Sequence, residues 1–231
     1  FSSDPKDKRL RSSILIEYKD FNFVIDCGPD FRQQMLRTKC RKLDAIIFTH
    51  EHADHTTGID DVRPYFFRQG KIPIYLHERV LNSLHNRFAY IFDPKQKYPG
   101  APDFEVNLIT KENDFQILGL NITPIEAVHY KLPVLGFRLG KFAYLTDVKT
   151  ISDKEMLKLN GLDTLVINAL RYESHPSHLN IEEALEIIDQ VKPKQTFFTH
   201  ISHNMGFHEE VCSSLPKSVS LAFDGLVLEV D

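Results

Sequence analysis

The sequence lacks the features of a membrane or secreted protein. No run in its 231 residues approaches the ~18 apolar residues that a membrane-spanning helix needs. The first residues, FSSDPKDKRLRSS, are polar and charged, unlike the apolar part of a signal peptide. The three cysteines, Cys27, Cys40 and Cys212, are odd in number and widely spaced, which favours reduced thiols over a disulfide framework. These absences predict a cytoplasmic protein with no membrane partner.

The sequence also lacks a strong excess of charge of either sign, and it lacks repeats. The formal net charge is −4, which argues against a strongly basic surface for nucleic acid. We find no internal repeat, low-complexity tract or long linker, and the 42% of hydrophobic residues suits one globular core. We therefore expect a single domain over residues 1–231.

Apolar patterning predicts a mixed α/β chain with central sheets and helices outside. Three helices are expected: one over residues 30–40, one over residues 78–92, and one that begins after the N-cap Asn180 and ends before Pro193. Residues 93–103 predict an exposed loop. The expected strands cover residues 13–18 and 21–26 (a hairpin), 43–49, 72–76, 115–125, 136–139, 141–146, 164–170, 196–199 and 218–230.

Four polar residues share one position, since each lies at the end of an apolar strand-like run: Asp26, His50, Asp147 and His200. Taken singly, each could be a turn former. Side chains at strand ends project into the crevice beyond the sheet, where α/β active sites lie. We therefore expect the four to belong to one site.

The sequence HEHADH at residues 50–55 is the strongest motif. It places three imidazoles and a carboxylate within six residues, a ligand set suited to Zn²⁺, Mn²⁺ or Fe. In a loop, His50 and His52 can face one ion while Asp54 and His55 face another. The alternative, a solvated histidine-rich turn, leaves this clustering unexplained.

Further ligands must come from elsewhere in the chain. The candidates are His129, Asp147 and His200, and a carboxylate such as Asp147 can bridge two cations through its two oxygens. Two ions roughly 3.5–4 Å apart would share a water and lower its pKa, which supplies a hydroxide nucleophile. For His129 alone, a buried structural histidine is the alternative.

This order of residues resembles the metallo-β-lactamase superfamily. HEHADH is preceded by Asp26 and followed by His129, Asp147 and His200, and the resemblance covers nearly the whole chain. It implies an αββα sandwich, with two mixed β-sheets flanked by helices.

The resemblance also implies a role for each ligand. Asp147 would bridge two divalent ions, Zn²⁺ or Mn²⁺, and Asp26 would orient the HEHADH box through hydrogen bonds without binding metal. The remaining ligands would divide into one set for the first ion (His50, His52 and His129) and one for the second (Asp54, His55 and His200).

The aspartate at 147 points to the phosphodiesterase-like branch, because true β-lactamases have Cys or Ser there. Several strings are similar to the PhnP-type phosphoribosyl cyclic phosphate phosphodiesterases: FVIDCGPDFR (residues 23–32), GFRL (136–139), YLTD (144–147) and THISH (199–203). The resemblance implies that a bridging hydroxide hydrolyses a small cyclic phosphodiester to a monoester.

The same resemblance suggests residues for the substrate. His178 would protonate the leaving sugar oxygen and counts with Asp54 as catalytic; His175 is a weaker candidate for this role. For His178, the alternative is a surface histidine that caps the helix after Asn180. Arg63 and Arg138 are the available phosphate partners, with solvated or structural arginines as the alternative.

Many relatives begin with a strand and a Cys cluster that joins the second histidine of THISH in a structural zinc site. The printed sequence contains neither feature, so we expect His203 to be a surface or supporting histidine.

Two rival functions remain open. A tRNA 3′-processing endonuclease of the tRNase Z type shares the box and the bridging aspartate, but it carries a long basic arm, whereas residues 93–103 are short and not strongly basic. A non-catalytic family member that binds a ligand is the other. We expect a small phosphodiester as partner and no nucleic acid; the metal, the exact substrate and the oligomeric state, a homodimer included, stay open.

Overall fold

The computed structural model of the protein describes residues 2–230. It contains two compact units. The N-terminal unit comprises residues 11–110, and the C-terminal unit comprises residues up to 10 together with residues from 111 onward. Whether the chain is one domain stays a prediction.

A five-stranded mixed sheet forms the centre of the N-terminal unit. Its first two strands form the predicted hairpin, with Ile14 opposite Ile25, and each later strand runs parallel to its neighbour. The strands lie in sequence order: β1 (Ile14–Tyr18), β2 (Phe21–Ile25), β3 (Ala45–Ile47), β4 (Ile72–Leu76) and β5 (Phe104–Leu108).

Helices pack against this sheet through one apolar core. Phe31 and Met35 of the first helix join Ile46 and Ile74 of the strands in that core. The helix predicted over 78–92 is interrupted at Phe88, which leaves helical geometry at φ −125° and ψ 47°. The helices are α1 (Phe31–Thr38), α2 (Ala53–Thr56), α3 (Arg63–Gln69), α4 (Glu78–Arg87) and α5 (Ala89–Phe92).

An eight-stranded mixed sheet forms the centre of the C-terminal unit, with the order β10-β7-β8-β9-β11-β12-β13 and β6 paired to β7. Strands β7, β8 and β9 are antiparallel, and β9, β11, β12 and β13 are parallel. The strands are β6 (Phe115–Ile117), β7 (Leu120–His129), β8 (Leu132–Leu139), β9 (Phe142–Leu145), β10 (Thr150–Ile151), β11 (Thr164–Asn168), β12 (Gln195–Thr199) and β13 (Val219–Leu221).

The helices of this unit are α6 (Asp153–Met156), α7 (Ile181–Val191) and α8 (His208–Ser214). The predicted N-terminus of α7 is confirmed as a capping box. The Asn180 side chain accepts from the Glu183 N–H at 2.8 Å, and the Glu183 carboxylate accepts from the Asn180 N–H at 3.0 Å. Ala184 and Ile188 then bury the apolar face of α7 in the core of this unit.

Two predicted strands differ most in extent from the observed ones. Leu118 and Gly119 adopt positive φ angles of 51° and 84° and form a tight turn, so residues 115–125 are two antiparallel strands, β6 and the start of β7, instead of one. At the end of the chain, only Val219–Leu221 is a strand. A turn at Gly225, with φ 90°, ends the extended path there. Apolar residues continue on both sides of each turn (FQILGLNI over 115–122 and LAFDGLVL over 221–228), so the hydrophobic pattern did not mark the turns.

The predicted class, two mixed β-sheets flanked by helices, is confirmed. None of the helices among residues 2–230 is both long and apolar enough to cross a membrane.

Candidate metal centre

The HEHADH box lies in the loop that follows β3 and continues into α2. His50 and His55 are buried, Asp54 is half-buried and His52 is exposed. The ring centroid of His50 lies 4.6 Å from that of His52 and 4.4 Å from that of His55. Three imidazoles of the box therefore converge on one small volume, as the spacing predicted.

Asp26 organises this loop from the end of β2. Its fully buried carboxylate accepts hydrogen bonds from the backbone N–H and the hydroxyl of Thr49, both at 2.8 Å, and from Nδ1 of His55 at 2.7 Å. Burial raises the pKa of Asp26, and the bonds from His55 and Thr49 oppose that shift. Because Nδ1 of His55 carries the donated proton, its Nε2 is the unprotonated nitrogen that can bind a cation.

The same chain of bonds fixes His50. Since the Thr49 hydroxyl donates its proton to Asp26, it accepts from Nδ1 of His50 at 2.9 Å. This leaves Nε2 of His50 unprotonated. The Asp54 carboxylate lies 3.6 Å from Nε2 of His55. One buried carboxylate therefore sets the tautomers of two histidines in the box, as expected for Asp26.

Two glycines allow the box to pack closely against the segment after β2, and neither was predicted to have a role. A Cβ on Gly28 would lie 2.1 Å from the carbonyl oxygen of Asp54, and one on Gly58 would lie 2.1 Å from the carbonyl oxygen of Gly28. Only glycine allows so close an approach of the two backbones. Their positions, directly after a strand and directly after the box, were the available signal.

The C-terminal unit gathers a second set of donors around Asp147. His129 ends β7, Asp147 lies two residues after β9, and His200 follows β12. Oδ1 of Asp147 lies 3.3 Å from Nε2 of His200, 3.7 Å from Nδ1 of His178 and 4.0 Å from Nε2 of His129. Three imidazole nitrogens therefore surround one carboxylate oxygen.

Hydrogen bonds orient this cluster too. Nδ1 of His129 donates to the carbonyl of Ser177 at 2.7 Å, so Nε2 of His129 is the nitrogen that can bind a cation. The Thr146 hydroxyl donates to Oδ2 of Asp147 at 2.7 Å. The His129 ring and the carboxylate are thus held from the side away from the cluster.

His178 is buried in the loop before α7, and its ring stacks on that of His200 with centroids 4.9 Å apart. Burial lowers the pKa of His178 to about 3, although the Asp147 carboxylate acts in the opposite direction. Among residues 2–230, Nδ1 of His178 finds no hydrogen-bond partner. Its ligand atom and those of His129 and Asp147 lie within 4.8 Å of one another. A neutral imidazole beside a carboxylate fits a divalent cation.

His175 lies beside this cluster, with its ring centroid 5.1 Å from that of His178. Its Nδ1 accepts from the backbone N–H of Ser177 at 3.3 Å. The structure therefore places His178 close to Asp147 and His175 beside His178, and their roles as proton donors stay predictions.

Three of these strand-end residues share an unusual backbone. Asp26, Asp147 and His200 have φ angles of 66°, 59° and 52°, in the left-handed region that favours glycine. Such strain costs on the order of 1–3 kcal/mol for each residue and is typical of functional sites. A polar side chain on such a strained backbone indicates that the direction in which the side chain points is needed for function.

A family model described as a beta-lactamase superfamily domain matches residues 21–201. The chain belongs to the metallo-β-lactamase superfamily. Within it, the chain resembles the PhnP family. It is 39% identical to a diphosphatase of that family in a crystal structure, with a TM-score of 0.92 over 100% of this chain and 88% of that one. The predicted resemblance to this superfamily and to the PhnP family is confirmed. The protein has a metal-dependent hydrolase fold with candidate metal-ligand clusters.

Two curated relatives have other names. An octanoyltransferase of Porphyromonas gingivalis is 38% identical over 100% of this chain but only 47% of its own length, so the chain spans about half of that protein. A ribonuclease Z of Borreliella afzelii is 42% identical over 57 residues, which cover 24% of this chain and 18% of that protein. Both matches are compatible with the superfamily, and neither assigns a substrate.

Arg138 does not lie at the superfamily site. His129 is opposite Leu132, whereas Arg138 is opposite Thr123, roughly 20 Å along the strand at ~3.3 Å per residue. Its guanidinium donates instead to backbone carbonyls of the turns nearby, those of Gly140, Lys158 and Asn160. The phosphate role expected for Arg138 is therefore not supported, because β8 carries this residue to the opposite end of the sheet.

Arg63 pairs with a carboxylate outside the HEHADH box, and His203 lies in a turn. The Arg63 guanidinium donates to the Asp60 carboxylate at 2.6 Å, and this pair raises the pKa of Arg63. Its role as a phosphate partner stays a prediction. His203 lies exposed in a turn after β12 and belongs to no candidate group of metal ligands among residues 2–230.

Proposed function

We propose that the protein is a two-metal phosphodiesterase that hydrolyses small, cyclic phosphodiesters. The observation that carries this proposal is the surrounding of Asp147 Oδ1 by nitrogens of His129, His178 and His200 at 3.3–4.0 Å. An aspartate in this position can bridge two cations. The similarity of the full chain to a PhnP-family enzyme supports the phosphodiesterase-like branch of the superfamily.

The family's motif order assigns the ligands. Asp147 would bridge two divalent ions, either Zn²⁺ or Mn²⁺, because borderline nitrogen and hard oxygen donors suit both. The first ion would have His50, His52 and His129, and the second Asp54, His55 and His200. When bound, such a pair supplies an activated water and positive charge next to a phosphoryl group.

The chain's own groups would prepare this chemistry. Asp26 keeps the ligand nitrogens of His50 and His55 unprotonated through the Thr49 hydroxyl and through its direct bond. His178 would donate a proton or hydrogen bond to the leaving sugar oxygen from its place beside Asp147, on the short loop before α7. Because burial lowers the pKa of this ring, the donating group would be the N–H of a neutral imidazole. The proposed catalytic set is then Asp54 among the ligands and His178 at the leaving group.

A second candidate activity is hydrolysis of a diphosphate, which the description of the PhnP-family relative favours. Both reactions break a P–O bond and can use the same ligands. They differ in the leaving group, since a phosphate departs more readily than a sugar alkoxide and depends less on a proton donor. Dependence of the rate on His178 would therefore separate them.

RNA processing and ligand binding without turnover are the rivals. The match to the ribonuclease Z of Borreliella afzelii covers 24% of the chain, and a longer ribonuclease Z match, over 96% of the chain, is 24% identical. The net charge of −4 offers no basic footprint for tRNA. Tight, salt-sensitive binding of tRNA in a gel-shift titration would favour the nuclease.

The deciding experiment compares substrates with the protein loaded with Mn²⁺ or Zn²⁺. We expect metal-dependent hydrolysis of bis-p-nitrophenyl phosphate and of a 2′,3′-cyclic nucleotide, faster than that of diadenosine diphosphate. Asp147→Asn is the control that removes the bridge and keeps the shape of the side chain. Faster cleavage of the diphosphate would select the second candidate, and no metal-dependent rate on any substrate would select ligand binding.

A further inference from the structure

A buried amide lies directly behind the Asp147 segment. Asn168, the last residue of β11, is fully buried. Its Oδ1 accepts from the backbone N–H of Val148 at 2.7 Å, and its Nδ2 donates to the carbonyl of the same residue at 3.0 Å. Only one orientation of the amide satisfies both bonds. After a flip, its NH2 group would face the Val148 N–H and its oxygen would face the Val148 carbonyl oxygen. Asn168 thus holds both polar groups of the residue that follows Asp147.

Val148 and the residue after it also form backbone hydrogen bonds with the chain neighbours of His178 and His129. Its carbonyl accepts from the backbone N–H of Leu179, which follows His178, at 2.8 Å. The next residue, Lys149, donates to the carbonyl of Val128, which precedes His129, at 2.8 Å. The segment 147–149 therefore has backbone bonds to the immediate neighbours of two further histidines.

The strand that carries Asn168 completes this ring. Ala169 donates its backbone N–H to the carbonyl of Thr199, the residue before His200, at 3.2 Å. A displacement of Asn168 would consequently be felt at all four donors of the C-terminal cluster, none of which its side chain bonds directly.

We propose that Asn168 is a positioning residue that holds Asp147 in its metal-binding direction. Asp147 has a φ of 59°, a conformation that the chain does not adopt by preference. Two bonds from one rigid amide restrain the peptide unit next to it and keep the left-handed turn from relaxing. The inference rests on the proposed two-metal function.

Simple core packing would not select this side chain. Ile167 and Ala169, on either side, belong to the apolar core, and an apolar residue would serve packing as well. An unpaired buried N–H is costly, and the Asn168 amide oxygen is the acceptor for the Val148 N–H, whereas the Val148 carbonyl also has the Leu179 N–H. Without this amide, the Val148 N–H can reach another acceptor only if residues 147–149 move.

The test measures metal binding and its geometry with Co²⁺ as the probe. In Asn168→Leu, we expect Co²⁺ affinity to fall roughly 10–100-fold, the usual effect of removing a group that orients a ligand. The visible absorption bands of bound Co²⁺ should change in intensity, because ligand directions change. Leu165→Ala, a fully buried change in the same strand, is the matched control for lost stability and should leave both readouts as in the parent protein.

If Asn168→Leu does not fold, as judged by circular dichroism, Asn168→Ser takes its place, with the same shift expected to be smaller. Unchanged affinity and bands in the folded variant overturn the inference, and so does an equal loss in Leu165→Ala. Asp147→Asn in the same titration tests the proposed function separately. If that variant binds Co²⁺ as the parent does, the two-metal proposal itself fails.

Discussion

The two sets of metal-ligand candidates are built in different ways. In the N-terminal unit, the donors lie within residues 50–55, on one loop, and a single carboxylate at Asp26 orients two of them. In the C-terminal unit, the donors come from separate strands and a loop between His129 and His200, and backbone bonds around Val148 set their register. The first set depends on local side-chain bonds, and the second depends on the sheet.

This difference predicts how each set fails. Loss of one supporting bond in the box should loosen a loop while its ligands stay near one another. Loss of the central residue in the C-terminal cluster should leave its histidines on separate elements with no common partner. The substitutions below test this contrast, in order of falling expected effect.

Asp147→Asn should have the largest effect. An amide cannot bridge two cations, so we expect bound metal to fall to one ion or fewer per chain. The rate on bis-p-nitrophenyl phosphate should fall by more than the ~10²–10⁴-fold that a missing proton donor costs. Elemental analysis and initial rates measure the two effects. Full metal content with a normal rate would refute the bridging role.

His178→Ala should lower kcat by about 10²–10⁴-fold on a cyclic diester, because the leaving alkoxide loses the ring N–H that donates to it. Activated esters with good leaving groups, such as bis-p-nitrophenyl phosphate, should lose far less. His175→Ala is the matched control on the same loop. An equal loss on both substrates would assign His178 to metal binding instead, consistent with its place beside Asp147.

Asp26→Asn should weaken metal binding by roughly 10–100-fold, as expected when a group that orients ligands is changed. Its side chain keeps one acceptor oxygen, so the donors from Thr49 and His55 compete for it. Competition with a chromogenic chelator measures the affinity. A loss as large as that of Asp147→Asn would show that the box is no more tolerant than the C-terminal cluster.

Gly58→Ala should act on stability. A Cβ there would lie 2.1 Å from the Gly28 carbonyl oxygen, and such overpacking lowers the free energy of unfolding by about 1–3 kcal/mol. Urea unfolding measures the change. Gly119→Ala, where no atom lies within 4 Å but φ is positive, separates backbone strain from steric clash. If both variants lose the same stability, the close approach of the box to Gly28 is not what requires glycine.

Side chains that cluster along the chain were predictable from sequence, and so were strong periodicities. The box, the strand-end position of Asp26 and the capping box at Asn180 follow from local spacing. The roles of Gly58 and Asn168 depend on which distant backbone lies opposite, and no local pattern encodes that.

Arg138 also shows that local sequence does not reveal which distant residues lie near a side chain. Its string resembles the family's, and yet the antiparallel register of β7 and β8 carries it away from His129. Register over a sheet is set by the sum of many apolar contacts, so one string that resembles the family's cannot locate a side chain along its strand.

The left-handed residues have a consequence for protein engineering. Glycine at position 147 or 200 would relieve about 1–2 kcal/mol of backbone strain while deleting a proposed ligand. A library screened for heat resistance in the presence of a chelator would thus drift toward glycine at these places and toward inert proteins. Screening with the metal present reverses that pressure, since the bound ion then repays the strained turn.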